Sequence, residues 1–259
     1  MLKRVDIRYL KKPEEVNLKD PVMIEGLPGI GHVGKLVADH LVKVLDVVKV
    51  VEIYSHHFPP QVIVEKDGLI RMPKNEVYAY KSDGTSPDLL ILVGDYQSIS
   101  NEGHFELANA YLKIAKDFGV KRIYTLGGYG VGRLVEHPYV IGAVNSESLI
   151  EPLKKAGVKF EDGEPAGGII GAAGLIIGLA MLEGIEAACL MGTTSGYMVD
   201  PKSAKAVLEV LMKLLNLKVS IEDLEERAKE MEKLIAQIKE IQEAQAMQWR
   251  SEEDLGYFR

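Results

Sequence analysis

Short apolar runs alternate with stretches of helical periodicity along most of the chain, and this alternation sets the first expectations. Pro21–Glu25 reads as a short buried strand, His32–Leu45 as a helix and Val47–Tyr54 as a valine-rich strand. Gln61–Glu65, Leu69–Arg71 and Glu76–Tyr80 read as short strands separated by Gly, Pro and Lys, and Asp88–Val93 as a fully buried strand. A helix over Asn101–Phe118 precedes strands at Arg122–Leu126 and Tyr139–Val144 and a helix over Ser146–Ala156. Gly167–Leu182 predicts an apolar helix, Ala187–Met191 a strand and Pro201–Leu215 a helix. Buried strands alternating with helices imply an α/β fold whose mostly parallel sheet is covered on both faces. The strand-rich middle makes that sheet mixed rather than uniformly doubly wound.

Asn216–Val219 is the candidate boundary, dividing an α/β unit over residues 1–218 from a segment over 219–259. Ser220 and Asp223, with Asp in the role of Glu, resemble a capping box that starts a long C-terminal helix running to about Trp249. Leu224, Ala228, Met231, Ile235 and Ile238 recur at alternating spacings of four and three, a short coiled-coil seam that Gln242 and Gln245 end. Leu234 and Ile241 broaden the stripe. Such a helix packs either on its own domain or on another subunit. Its distal part, ending in Tyr257-Phe258-Arg259, is expected to be exposed, with an aromatic pair beside a terminal carboxylate that suits a partner's pocket.

Charge narrows the partners. A net charge of -7 and a pI near 5.5 leave no cationic excess to neutralise phosphates, which argues against nucleic acid. Cys189 is the only cysteine of the chain, so no intrachain disulfide forms, which fits a reducing compartment. Its apolar neighbours mark it as a small buried hydrophobe rather than a nucleophile. The N-terminus has no apolar signal region, and Ala166–Leu182 is too short and glycine-rich for a membrane span. The expected location is the cytoplasm.

Three glycine-rich segments are the candidates for chemistry. Gly29-Ile30-Gly31-His32-Val33-Gly34 matches the dinucleotide fingerprint between a strand and a helix, with Glu52 near the place of the ribose acid. Gly29–Lys35 also has Walker spacing, but Leu36 stands where a hydroxyl would hold magnesium. Glu25 and Pro28 oppose a bound phosphate, one by charge and one by lacking an N–H. Gly127–Gly132 with Arg133, Thr193-Thr194-Ser195-Gly196, and Asp95 with Gln97 follow strands, and together they outline a ligand crevice at the sheet's carboxyl edge. Tight turns and an interface explain them as well. Gly167, Gly171, Gly174 and Gly178 leave one helix face nearly without side chains, which favours close packing. The histidines lack metal-ligand spacing. No catalytic residue, cofactor or metal is expected.

Glu25–Gly34, Gly127–Gly132 and Glu164–Gly171 in combination resemble the archaeal branch of the proteasome assembly chaperone 2 family, over roughly residues 1–218. The resemblance implies a phosphorylase/hydrolase-like α/β fold without the phosphorylase active site. It also implies a homo-oligomer that assembles or activates the 20S proteasome through its α-subunits, without catalysis. In that setting Tyr257, Phe258 and Arg259 take the hydrophobic, tyrosine and terminal places of a proteasome-docking tail, whose carboxylate pairs with a lysine between α-subunits. Phe258 lacks the hydroxyl of the usual tyrosine. The competing readings are a nucleoside phosphorylase-like or nucleotide-binding enzyme working in the crevice, and a scaffold that assembles with a paralogous subunit.

Overall fold

The computed structural model describes residues 3–161, 163–165, 167–231 and 233–234. Ten strands form among the described residues: β1 (Val5–Tyr9), β2 (Val22–Gly26), β3 (Val47–Ser55), β4 (Ile63–Val64), β5 (Ile70–Arg71), β6 (Asn75–Tyr80), β7 (Leu89–Gly94), β8 (Arg122–Gly130), β9 (Val140–Val144) and β10 (Glu186–Thr194). The helices are α1 (Pro13–Val16), α2 (Val33–Val44), α3 (Asn101–Asp117), α4 (Ile150–Ala156), α5 (Ala172–Leu182) and α6 (Pro201–Leu215), and residues 222–231 are helical as well.

Eight strands make one sheet in the order β1-β3-β6-β7-β2-β8-β10-β9, and β4 pairs with β5 in a second, two-stranded sheet. The central four, β7-β2-β8-β10, are parallel; β6, β3 and β1 on one side and β9 on the other add antiparallel pairs. The sheet is therefore mixed with a parallel centre. Side-chain alternation along the central strands sorts the core into two layers. Val22, Ile24, Leu89 and Ile91 pack with α2, α4 and α6, whereas Met23, Leu90 and Leu92 pack with α3 and α5. Both faces of β2 and β7 are buried, which is why those strands read as unbroken apolar runs.

Local signals place the helix ends. Ser100 caps α3 by accepting from the Gly103 N–H, and Asp200 caps α6 by accepting from Ser203, with Pro201 at the first helical position. Asn216, at φ 50°, ends α6 in the left-handed conformation.

Three expectations differ from the structure, and one strand lies beyond them. The strands at Arg122 and Ala187 continue through their glycine and threonine residues, because Gly127, Gly128, Tyr129 and Gly130 pair with Met191, Gly192, Thr193 and Thr194. Gly127–Gly130 is therefore strand rather than turn. The apolar helix starts at Ala172, not Gly167, since Gly167, Gly168 and Gly171 take φ of 75°, 94° and 92° in the loop before it. β1 was not foreseen and adds the edge beside β3. Asp223 does not complete a capping box; it pairs with Lys43 and Arg227.

Candidate functional site

The N-terminal glycine motif serves packing. A Cβ at Gly26 would stand 2.2 Å from the Gly34 carbonyl oxygen, and one at Gly34 would stand 2.2 Å from the Leu126 carbonyl oxygen. Glycine at both positions lets α2 lie directly on β2 and β8. Gly31, at φ 61°, turns the chain into α2. The acid of the fingerprint is elsewhere: β3 is separated from β2 by β6 and β7, and Glu52 is held by Lys74 and Lys49. The dinucleotide reading of Gly29–Gly34 with Glu52 does not survive this topology.

The carboxyl ends of β2, β8 and β10 do enclose a crevice of about 250 Å³, lined by Glu25, Gln97, the Gly127–Gly130 strand end, Cys189, Met191 and the loop carrying Gly168–Ile170. Gln97 ties its two sides together, donating from Nε2 to the Pro28 carbonyl at 2.7 Å and accepting on Oε1 from the Ala172 N–H at 2.9 Å. The other crevice candidates are engaged differently. Asp95 is gripped by Arg71 through two hydrogen bonds at 2.5 and 2.9 Å and accepts from the Lys74 N–H. Thr193 Oγ1 accepts from the Tyr139 N–H at 3.0 Å and donates to the Tyr139 carbonyl at 3.2 Å. Arg133 is exposed on the following loop.

Electrostatics inside the crevice is dominated by burial. Glu25 is 1% exposed, and burial pushes its carboxyl from the ordinary 4.5 up to about 7, only partly offset by the N–H groups of Leu27 and Leu126. Burial, with Glu25 adding to it, also pushes the Cys189 thiol up to about 12. Cys189 is thus a protonated thiol in a wall of the crevice at neutral pH, in line with its reading as a small buried hydrophobe. Among the described residues no group of three His, Cys, Asp or Glu side chains is placed to hold a metal.

The C-terminal segment splits across the described boundary. Leu224 is buried in the core with α2 and α6, and Ala228 and Met231 line a cavity of about 220 Å³ with Leu134, Met198, Val199 and Pro201. His40 Nε2 meets the Ser220 carbonyl at 2.7 Å, Lys43 pairs with Asp223 at 2.6 Å, and Lys205 pairs with Glu225 at 2.8 Å. These contacts lay the start of the helix on α2 and α6 of its own chain. Ile235 and Ile238 of the seam, and Tyr257, Phe258 and Arg259 of the tail, lie outside the described residues.

Two apolar surfaces, not foreseen from the sequence, are open. α5 is apolar on every side, yet only Ala172, Ile176 and Ala180 are buried; Met181 and Leu182 are 57% and 76% exposed, and Ile170 beside the helix is 94% exposed. The hairpin of β4 and β5 exposes Val64, Leu69 and Ile70. No helix among the described residues is long and apolar enough to cross a membrane.

Comparison with known proteins fits this arrangement. The chain is 40% identical to Pyrococcus furiosus PbaB, described as an archaeal proteasome activator; the match covers 92% of this chain and 100% of that one, with a TM-score of 0.86. Pyrococcus furiosus PbaA, an archaeal homologue of proteasome-assembly chaperone, matches with 27% identity over 98% of this chain and 99% of its own, with a TM-score of 0.74. An uncharacterized protein of Methanocaldococcus jannaschii is 45% identical over 245 residues, 93% of each chain. Residues 23–239 match the PAC2 family along their whole span, and the chain belongs to that family.

Proposed function

We propose that the chain is a non-enzymatic, oligomeric scaffold of the cytoplasm that activates or helps assemble the 20S proteasome, docking on its α-subunits through Tyr257, Phe258 and Arg259. The observation that carries this reading is the 40% identity to an archaeal proteasome activator over the full length of that protein. Self-association is supported by α5. A helix apolar on all sides is stable against water only when covered, and a second copy of the chain is the cover that accounts for exposed Ile170, Met181 and Leu182.

The tail departs from the usual docking pattern at one atom. Phe258 cannot make the hydrogen bond of a tyrosine hydroxyl, a loss of about 0.5–1.5 kcal/mol per tail. Several tails on one oligomer offset this through effective concentration.

Deleting residues 257–259 is expected to weaken co-sedimentation with 20S particles while leaving the native mass of the oligomer unchanged. Phe258→Tyr is expected to tighten association by up to roughly tenfold per tail. Equal binding by the intact chain, the deletion and Phe258→Tyr would remove the tail from the mechanism.

A further inference from the structure

The helical residues 222–231 after α6 lie close on their own domain at one end and stand away from it at the other. Leu224 is buried in the core with α2 and α6, whereas Ala228 and Met231 line the cavity of about 220 Å³. That cavity lies between the helix and the loops after β8 and β10, where Leu134, Met198, Val199 and Pro201 complete an apolar wall. It is reachable from solvent, since Leu134 is 45% and Val199 39% exposed.

The wall defines the occupant. A dry apolar cavity of roughly 150 Å³ admits benzene, so the space of about 220 Å³ takes a larger ring such as an indole. Methionine sulfur packs favourably on aromatic rings, and two methionines, Met198 and Met231, stand here. A covered indole needs an acceptor for its N–H, which the Glu136 carboxylate at the same cavity supplies.

The sequence carries such a ring in phase with the cavity. The seam of Leu224, Ala228, Met231, Ile235 and Ile238 continues at spacings of four and three through Gln242 and Gln245 to Trp249, the only tryptophan of the chain. On one continuous helix Trp249 lies 18 residues past Met231, about 27 Å at a rise of about 1.5 Å per residue. No Gly or Pro interrupts residues 222–249, so a chain's own Trp249 does not return to its own cavity. The ring of a second copy does. With two such helices antiparallel and the twofold axis between Ile238 and Gln242, Ile238 faces Gln242, Ile235 faces Gln245 and Met231 faces Trp249. Parallel helices would set Trp249 against Trp249 and leave the cavity to solvent. Polar seam residues fix register at a cost in adhesion, and a ring seated at each end offsets that cost.

We propose that Trp249 of one copy inserts into the cavity at Ala228 and Met231 of a second copy, and reciprocally, pairing the C-terminal helices antiparallel. The contact rests on the self-association of the chain and does not involve residues 257–259.

Because Trp249 is the only tryptophan, its fluorescence in the full-length chain reads the contact directly. The natural oligomer is expected to emit at the short wavelength of a covered indole, and Ala228→Phe, which fills the cavity from its wall, to emit at long wavelength. Leu134→Arg, at an exposed position where the fold accepts a charge, is expected to do the same and takes its place if Ala228→Phe does not fold. Trp249→Ala is expected to raise the dissociation constant between copies by about 30-fold or more, as loss of an interface anchor does. Mixing separates the two roles. Ala228→Phe keeps its tryptophan without a cavity, Trp249→Ala keeps its cavity without a tryptophan, and together they are expected to restore short-wavelength emission. A mixture that stays at long wavelength overturns the proposal, as does covered emission indifferent to both cavity variants. An oligomer with solvent-exposed tryptophan overturns this contact alone, whereas a monomer overturns it together with the self-association on which it rests.

Discussion

Gly34→Ala adds a single methyl group to the second residue of α2, and two effects of opposite sign compete. Helix propensity favours alanine over glycine by at most about 1 kcal/mol, and by less in a first turn. Packing opposes it. The added Cβ would stand 2.2 Å from the Leu126 carbonyl oxygen and 2.7 Å from its carbon, both backbone atoms of a central strand. Ordinary contact needs about 3.4 Å, so α2 must retreat from the sheet by roughly 1 Å. That retreat loosens Val33, Val37, Ala38 and Leu41, all fully buried, and a gap of that size forfeits a quarter to a half of each contact's attraction. Overpacking of this kind costs about 1–3 kcal/mol. After the propensity gain, a net destabilisation of about 1–2 kcal/mol remains. The assay is urea denaturation at one fixed protein concentration, because self-association couples stability to concentration. A midpoint equal to or above that of the natural sequence would refute the reasoning, and with it the view that these glycines exist for helix–strand contact.

Two further outcomes follow from burial. The folded-state pKa of Glu25 lies above its unfolded value, so the native state binds more protons across the interval from about 4.5 to 7, and stability falls as pH rises through that window. The full effect is on the order of 3 kcal/mol, and Glu25→Gln is expected to flatten it in urea titrations run from pH 4.5 to 8; an unchanged slope would contradict the burial argument. Leu224→Ala is expected to cost about 2–5 kcal/mol, because that side chain is 1% exposed in the core. Leu234→Ala, at a residue 49% exposed, is expected to stay within about 0.5 kcal/mol; equal losses at both sites would contradict the described orientation of the helix.

Most helices and central strands were legible because their signals are local. Pro201–Leu215 is bounded as expected, with Asp200, Pro201 and Asn216 acting at its ends through their own side chains and φ angles. β2 and β7 stood out because both their faces are buried. β1 was missed: Val5, Ile7 and Tyr9 alternate with Asp6 and Arg8, but five residues with two charges give a weak pattern, and only pairing with β3 decides it. Gly127–Gly130 looked like a turn because glycine has poor strand preference. Parallel pairing with β10 overrides that preference, and at Gly128 a side chain would meet the Ile30 carbonyl oxygen at 2.3 Å.

The candidate sites were legible to different degrees. Glu25 was visible as an acid next to a glycine loop, and its opposition to phosphate follows from charge alone. That its Oε2 has no hydrogen-bond partner among the described residues is a matter of three-dimensional packing that no spacing reveals. Glu52 misled because the fingerprint assumes that the next strand lies beside the first, whereas the chain places β6 and β7 between them. The outward apolar side of α5 was hidden by composition, since a uniformly apolar segment does not say which part its own chain will cover.

Native mass spectrometry of the chain, alone and mixed with 20S proteasome, tests the central claim most directly. A defined oligomer that adds its mass to the 20S particle, and that shifts to smaller species in Leu182→Asp, is the predicted result. A monomer that leaves the 20S mass unchanged would contradict the account.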